Sequence, residues 1–309
     1  VRLKAELHPS NQLIPLHEPL MRFTENWTNL ARQGLFKPTV HQEAALQSVL
    51  QTLKCKTINN VLLIGRAGSG KTSLAQQTAI FMAGDSKNER LFLSLKLQDI
   101  LEEARKSPRF ITDLIDSLRR YAGSYVLFVD EFHNFFRIQT QDGIPLFELF
   151  KPVLAEGKVR LIGATTPEEA ATYIFDKGEA VLRRFSHQFT PELTDQQSVD
   201  ALTASKETYE AHFAQQYGSP FAIDPAAFPI AVQEAKTRVT HQALPASAIT
   251  LFEEACSAKG AENSSEEVNI SPNDIVRYAK ARYPLHSWHS RIYQFFAKWF
   301  RYFFVRTNI

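Results

Sequence analysis

The fold of this chain is decided by the stretch Gly65-Arg66-Ala67-Gly68-Ser69-Gly70-Lys71-Thr72. An apolar run over residues 61–64 precedes it, and a helix-compatible run over residues 72–82 overlaps its end. The order of strand, glycine-rich turn and helix is typical of a phosphate-binding P-loop. In such a turn the backbone N–H groups point inward, and the helix N-terminus adds positive potential at the same point.

Each part of this motif has an expected role at a nucleotide. Lys71 is expected to reach the β- and γ-phosphates of ATP, and Thr72 is expected to ligate Mg²⁺. The remaining phosphate contacts are expected from Gly65, Arg66, Ala67, Gly68, Ser69, Gly70 and Ser73.

Strand and helix patterns alternate on both sides of the motif. Alternation of this kind predicts an α/β fold, in which a parallel sheet has helices on both faces. The predicted strands are residues 61–64, 91–95, 125–129 and 159–163, and the predicted helices are 41–53, 72–82, 98–105 and 110–121.

Strand signals stop near residue 195, which predicts a smaller helical lid domain. Its helices are expected at residues 199–216, 225–236, 244–258 and 271–281, with a polar loop at 260–267. The predicted organisation is an extended arm (1–25), the α/β domain (26–192), the helical domain (193–284) and a tail (285–309).

Two carboxylates end the apolar strand at residues 125–129. Asp130 is expected to hold the Mg²⁺ shell, and Glu131 to orient and deprotonate the attacking water. The next strand ends at Thr166, on the same side of a parallel sheet. Its hydroxyl could hold the water or the γ-phosphate, and it also suits a helix N-cap.

Two arginines, Arg183 and Arg184, precede another β-like run. Solvated surface arginines are one interpretation. The other is an arginine finger, supplied to the γ-phosphate of a neighbouring subunit.

Composition excludes few partners. Lys+Arg 35 against Asp+Glu 33 gives a net charge of +2, so a nucleic-acid partner is not favoured. The two cysteines, Cys55 and Cys256, are far apart and in no metal-ligand spacing, which fits a reducing cytoplasm. No run of 18 apolar residues occurs.

Several stretches together resemble the Clp-type AAA+ ATPases, most of all the first ATPase module of the ClpA/ClpB unfoldases. In chain order they are residues 29–34 (NLARQG), 37–40 (KPTV), 60–65 (NVLLIG), 127–133 (LFVDEFH), 151–155 (KPVLA), 163–166 (GATT), 183–185 (RRF) and 244–255 (LPASAITLFEEA).

The resemblance implies a five-stranded αβα module with a helical lid, assembled in rings, most simply hexamers, with ATP between subunits. It assigns Val40 to the adenine side, Thr166 to the sensor 1 position, and Arg183 and Arg184 to fingers acting in trans. The chain would remodel or assemble a protein complex.

The chain also departs from that family. Residues 103–110 (EARKSPRF) lack the aromatic Tyr-x-Gly pore motif, and residues 245–248 (PASA) lack the lid's charged residue. The alternative is therefore a slow nucleotide switch or scaffold subunit, without polypeptide threading, in a larger secretion or transport machine.

The tail at residues 285–309 holds nine aromatic and four basic residues and no acidic one. Three interpretations stay open: docking on the lid or a partner, binding at the inner face of a membrane, and contact with nucleic acid.

Overall fold

The computed structural model describes residues 20–88, 90–137, 139, 143–175, 182–262 and 267–285. The chain divides into two compact units between Gln197 and Ser198. The predicted arm up to residue 19 and the predicted tail from residue 286 lie outside the described residues. The predicted boundary between residues 192 and 193 stays a prediction.

A six-stranded sheet forms the centre of the first unit. Its strands are β1 Thr24–Asn26, β2 Asn60–Ile64, β3 Leu91–Leu95, β4 Tyr125–Val129, β5 Arg160–Thr165 and β6 Phe185–Phe189. They lie in the order β1-β3-β4-β5-β2-β6. All neighbours pair in parallel except β1, which is antiparallel to β3. The predicted α/β fold with a mostly parallel sheet is confirmed.

The sixth strand corrects the expectation of a five-stranded module. Strand β1 pairs Thr24 with Leu95 and Asn26 with Leu93 at one edge of the sheet. Its three residues show no alternation of apolar and polar side chains, so the sequence pattern does not indicate a strand. They form one because they pair with a strand that is distant in the sequence. Part of the predicted extended arm is also helical, since Leu20–Phe23 form the short helix α1.

Helices cover both faces of this sheet. After α1 they are α2 Trp27–Arg32, α3 Glu43–Lys54, α4 Lys71–Gly84, α5 Leu97–Lys106, α6 Pro108–Arg120, α7 Asn134–Arg137, α8 Leu146–Ala155 and α9 Pro167–Glu169. Helix α9 continues directly into a π-helix, Ala170–Ile174.

Alternate residues of each central strand face different helical layers. Val61 and Leu63 belong to a buried cluster with side chains of α3 and α4. Leu62 and Ile64 belong to a second cluster, with side chains of α5, α6 and α8. Both faces are buried, which is why these strands read as continuous apolar runs rather than as alternating ones.

The second unit is mainly helical. Its helices are α10 Asp195–Ala204 (which begins just before the division), α11 Lys206–Tyr217, α12 Ala227–Arg238, α13 Ala246–Glu262 and α14 Pro272–Arg282. The single helix predicted at 199–216 is wrong, because Ser205 separates two helices and its hydroxyl donates to the Ala201 carbonyl. The loop predicted from residue 260 is also wrong at its start, since α13 continues to Glu262.

Two short strands correct the prediction that strand structure stops near residue 195. Strands β7 Phe221–Ile223 and β8 Val268–Ile270 pair in parallel. Each has buried end residues around a less buried centre. Three residues are too few for a visible period of two, so the sequence alone gave no strand signal.

None of the helices in the described part of the chain is both long and apolar enough to span a bilayer.

Candidate nucleotide site

The P-loop connects the end of β2 to the start of α4. Gly70 immediately precedes the helix with φ of 89°, in the left-handed region that favours glycine. Gly65 has no room for a side chain, because a Cβ there would lie 2.1 Å from Oγ1 of Thr190. The turn is therefore held against the residue that follows β6.

Lys71 lies at the centre of this turn. Its Nζ donates to the carbonyl oxygens of Gly65, at 2.7 Å, and Arg66, at 3.1 Å. Burial lowers the pKa of Lys71, while the charges of Asp130 and Glu131 oppose that shift. An ammonium group held this way is a preorganised point charge for a phosphate.

Thr72 and Asp130 are in direct contact, although Thr72 lies in the first turn of α4 and Asp130 follows β4. The Thr72 hydroxyl donates to Oδ2 of Asp130 at 2.9 Å. A hydroxyl and a carboxylate are hard oxygen ligands of the kind that Mg²⁺ accepts, usually one or two of them together with phosphate oxygens and waters. The two predicted Mg²⁺ ligands therefore fit that ion.

Glu131 adopts a backbone conformation that is uncommon for a residue with a side chain. Its φ is 51°, and its backbone N–H donates to Oδ1 of Asp130 at 3.0 Å. Burial raises the pKa of Glu131, and the neighbouring Glu169 adds to the rise. Such strained conformations concentrate at functional sites.

Thr166 serves as the N-cap of α9. Its Oγ1 accepts from the Glu169 backbone N–H at 3.3 Å, and the Glu169 carboxylate accepts from the Thr166 backbone N–H at 3.1 Å. This capping box agrees with the cap interpretation from the sequence. Thr166 also follows β5, at the same end of the sheet as Asp130. Its role at a nucleotide stays a prediction.

The other predicted phosphate contacts surround this turn. Ser69 is buried, and its hydroxyl lies 3.1 Å from that of Thr190. Arg66 forms an exposed ion pair with Glu192. Ala67 and Gly68 form the turn itself, and Ser73 lies in the first turn of α4. These roles stay predictions.

Val40, the expected adenine-side residue, is half-buried in the segment between α2 and α3.

The contacts of two further residues near the site, Gln42 and His133, were not predicted. Gln42, two residues after Val40, accepts from the Thr39 hydroxyl at 2.9 Å and donates to the Gly70 carbonyl at 3.1 Å. His133, which the sequence marks only as the residue trailing the acidic pair, is buried beside Glu131 and Glu169.

The two arginines lie at the other end of the sheet. Arg184 immediately precedes β6, where Phe185 pairs with Asn60 at the start of β2. A strand of this length separates that point from the P-loop by about 13 Å. Arg183 is exposed, and the Arg184 guanidinium lies beside Gly157. The structure thus gathers Lys71, Thr72, Asp130, Glu131 and Thr166 at one end and leaves both arginines at the other.

Comparisons with known proteins show similarity to AAA ATPases and to ClpB chaperones. The family model described as "ATPase family associated with various cellular activities (AAA)" matches residues 61–193. The chaperone protein ClpB of Bdellovibrio bacteriovorus is 32% identical over 271 residues, which cover 84% of this chain and 31% of ClpB. The ClpB of Corynebacterium glutamicum is 30% identical over 267 residues, covering 84% and 30%.

Solved structures of Hsp104 share the fold. The Saccharomyces cerevisiae Hsp104:casein complex superposes with a TM-score of 0.73 and 27% identity, over 86% of this chain and 45% of that one. The Hsp104–ADP complex of the same organism gives 0.73 and 26%, over 85% and 45%.

The chain therefore carries a P-loop ATPase domain of the AAA+ class, followed by a helical unit. It is similar in sequence to ClpB and in fold to Hsp104. It spans just under a third of the length of the curated relatives it matches.

Proposed function

We propose that the chain binds ATP with Mg²⁺ at residues 65–72 and hydrolyses it with Asp130, Glu131 and Thr166. The main support is the 2.9 Å hydrogen bond between Thr72 and Asp130. It joins an oxygen ligand at the start of α4 to one that follows β4, at the end of the sheet where the P-loop turns. A chance P-loop-like loop would have no reason to meet a carboxylate in this way.

The proposed mechanism assigns one task to each side chain. Lys71 exchanges its contacts with loop carbonyls for contacts with phosphate oxygens, and Thr72 and Asp130 would hold the metal. When bound, Mg²⁺ neutralises negative charge on the phosphates. Glu131 accepts the proton of the attacking water at its carboxylate, and the Thr166 hydroxyl helps to orient that water.

Replacement of Glu131 tests this assignment. Glu131→Gln keeps the shape but removes the base, so we expect ATP turnover to fall roughly 10²- to 10⁴-fold while ATP binding persists. Turnover is measured by phosphate release, and binding by a fluorescent ATP analogue.

The matched control is Glu168→Gln, which removes the same charge from an exposed neighbour of the site. It should turn over ATP at the wild-type rate. A Glu131→Gln protein with wild-type turnover would contradict the role of Glu131.

We propose further that the chain assembles in rings, with six subunits as the simplest case, and that Arg183 and Arg184 complete the site of a neighbouring subunit. Their position at the far end of the sheet supports action in trans. The Clp-type relatives support protein remodelling as the purpose of hydrolysis, and casein, which is bound in an Hsp104 complex, is a suitable probe client.

A slow switch or scaffold is the second candidate, and one observation favours it. Phe110 is the one aromatic residue in the stretch that corresponds to the pore motif, residues 103–110. It is buried in α6, with its ring centroid 4.4 Å from that of Phe23. A buried ring cannot grip a threaded chain.

Turnover with and without a client separates the two candidates. A remodelling motor should hydrolyse ATP faster when casein is added. A switch should respond little to casein and should instead change its sedimentation coefficient between ATP and ADP.

Residues 285–309 carry the proposed membrane contact, and a cytoplasmic location at the inner face of a membrane goes with it. Flotation with anionic liposomes, compared between the full chain and a chain without these residues, tests the contact. Equal flotation of the two proteins would contradict it.

A further inference from the structure

The turn that follows β4 is fixed firmly against β5. The backbone N–H of Phe132 donates to the Ala164 carbonyl at 2.7 Å. The Phe132 ring occupies the space above Gly163, where an added Cβ would lie 2.7 Å from it. The next residue, His133, is therefore held in one place, with only 3% of its side chain exposed.

His133 contacts the segment after β5 in two ways. Its Nδ1 lies 3.1 Å from Oε2 of Glu169. Its ring stacks on Tyr173, with centroids 5.9 Å apart and planes at 30°. Glu169 and Tyr173 belong to α9 and to the π-helix that continues it, and such π-helical turns occur often at functional sites.

The same nitrogen also faces the proposed base. Nδ1 of His133 lies 3.6 Å from Oε2 of Glu131, yet it is buried and makes no hydrogen bond of good geometry. Leaving a buried polar group unpaired is costly, so the structure favours any small movement that completes the bond.

Of the two carboxylates, only that of Glu131 is free to make this movement. Oε2 of Glu169 already accepts from the Thr166 backbone N–H at 3.1 Å and from the Thr166 hydroxyl at 2.9 Å. Burial opposes ionisation of Glu169, these hydrogen bonds act against that effect, and the pKa of Glu169 is lowered overall. The Glu131 side chain is 55% exposed and can rotate towards Nδ1.

Three ligand atoms of Glu131, His133 and Glu169 lie within 4.8 Å of one another, which is also compatible with a cation. The hydrogen bonds that Thr166 donates to the Glu169 oxygen make that less favourable, because a metal would have to displace the cap of α9. A hydrogen-bonded link needs no such displacement.

We propose that His133 is a positioning residue. Its Nδ1–H holds the Glu131 carboxylate at a fixed position relative to the segment that begins at Thr166. The Nδ1–H contacts Glu131, and the stacking of the His133 ring on Tyr173 holds it against the segment that begins at Thr166. This role rests on the proposed function, because it matters only if Glu131 acts on a water that Thr166 helps to orient.

Variants of His133 test the link. His133→Leu removes the donor and fills the space, so kcat should fall roughly 10- to 100-fold while the Kd for ATP stays within about twofold. His133→Asn keeps an N–H near the position of Nδ1 and should recover most of the rate. The control His187→Leu makes the same replacement at an exposed histidine of β6 and should leave kcat unchanged.

A double-variant cycle identifies the group through which His133 acts. In a Glu131→Gln background, His133→Leu should cause no further loss, because its target is already disabled. If His133→Leu does not fold by its thermal melt, His133→Asn is compared with His133→Gln, whose amide lies nearer Nε2. Asn should then be the faster variant.

If the wild-type chain hydrolyses ATP, any of three results would overturn the inference. They are an unchanged kcat in His133→Leu, additive losses in the double-variant cycle, and equal rates for His133→Asn and His133→Gln. A wild-type chain that binds ATP without hydrolysing it would contradict the proposed function itself, and the inference with it.

Discussion

The two ends of the central sheet differ in kind. The carboxyl end gathers polar groups that contact one another: Lys71 with the loop carbonyls, Thr72 with Asp130, and Glu169 with Thr166. The amino end carries Arg184 in contact with Gly157 and an exposed Arg183. The carboxyl end holds the groups proposed to bind and hydrolyse ATP, whereas the two arginines proposed to act on a γ-phosphate lie at the amino end.

This division follows from topology. Strand β6 runs parallel to β2, so the residues just before β6 lie beside the start of β2, and the P-loop lies beyond its end. No rotation of two side chains covers a separation of about 13 Å along the strands. If the arginines act on a nucleotide, that nucleotide must belong to another copy of the chain.

The largest predicted effect tests this separation. Arg183→Ala combined with Arg184→Ala should lower turnover about 10³-fold or more without abolishing ATP binding. Mixed at equal amounts with Glu131→Gln, it should regain about a quarter of the wild-type rate, because one interface in four would pair an intact Glu131 with intact arginines. Phosphate release by each variant and by the mixture measures both effects.

Arg119→Ala is the control, since it removes an exposed arginine whose ion pair with Glu156 contributes little. Turnover at the wild-type rate in the double-arginine variant, or a mixture no faster than its components, would show that the two ends do not form a shared site.

A smaller effect is expected where the carboxyl end is packed most tightly. Gly65→Ala would place a Cβ within 2.5 Å of Thr190 and Ser69 side-chain atoms. We expect a loss of about 1–3 kcal/mol in the free energy of unfolding, as for other overpacked sites, and weaker ATP binding because the turn must shift. Denaturant unfolding and ATP titration measure the two losses.

Gly84→Ala is the matched control, because nothing lies within 4 Å of its added Cβ and its φ is not positive. It should leave ATP binding unchanged and stability equal or slightly raised. Equal unfolding curves for the two variants would mean that packing does not fix the P-loop.

The sequence predicts the parts of this comparison that depend on local order. The motif at residues 65–72, the acidic pair after β4 and the arginines before β6 are each defined by their neighbours along the chain. What it does not predict depends on distant pairing: β1 against β3, and the contact of His133 with Glu169. Thr166 lies between these cases, since its cap is readable from Pro167 and Glu169, whereas its link to His133 is not.

The smallest predicted effect concerns the charge that fixes the carboxyl end. Hydrogen bonds from Thr166 lower the pKa of Glu169 against the opposing effect of burial. Because the pKa of Glu169 is lower in the folded state than in the unfolded state, its ionised carboxylate stabilises the fold. This stabilisation is fully present at a pH above the unfolded-state pKa, near 4.5, and is lost as the pH falls through the folded-state pKa. Glu169→Gln should therefore cost about 1 kcal/mol at pH 7, and the cost should shrink below about pH 4.5. Thermal melts of the variant and wild type between pH 3 and pH 7 measure the difference, with Glu168→Gln as the exposed control. A cost that stays constant with pH would mean that the shape of the cap, and not its charge, holds Thr166 at this end of the sheet.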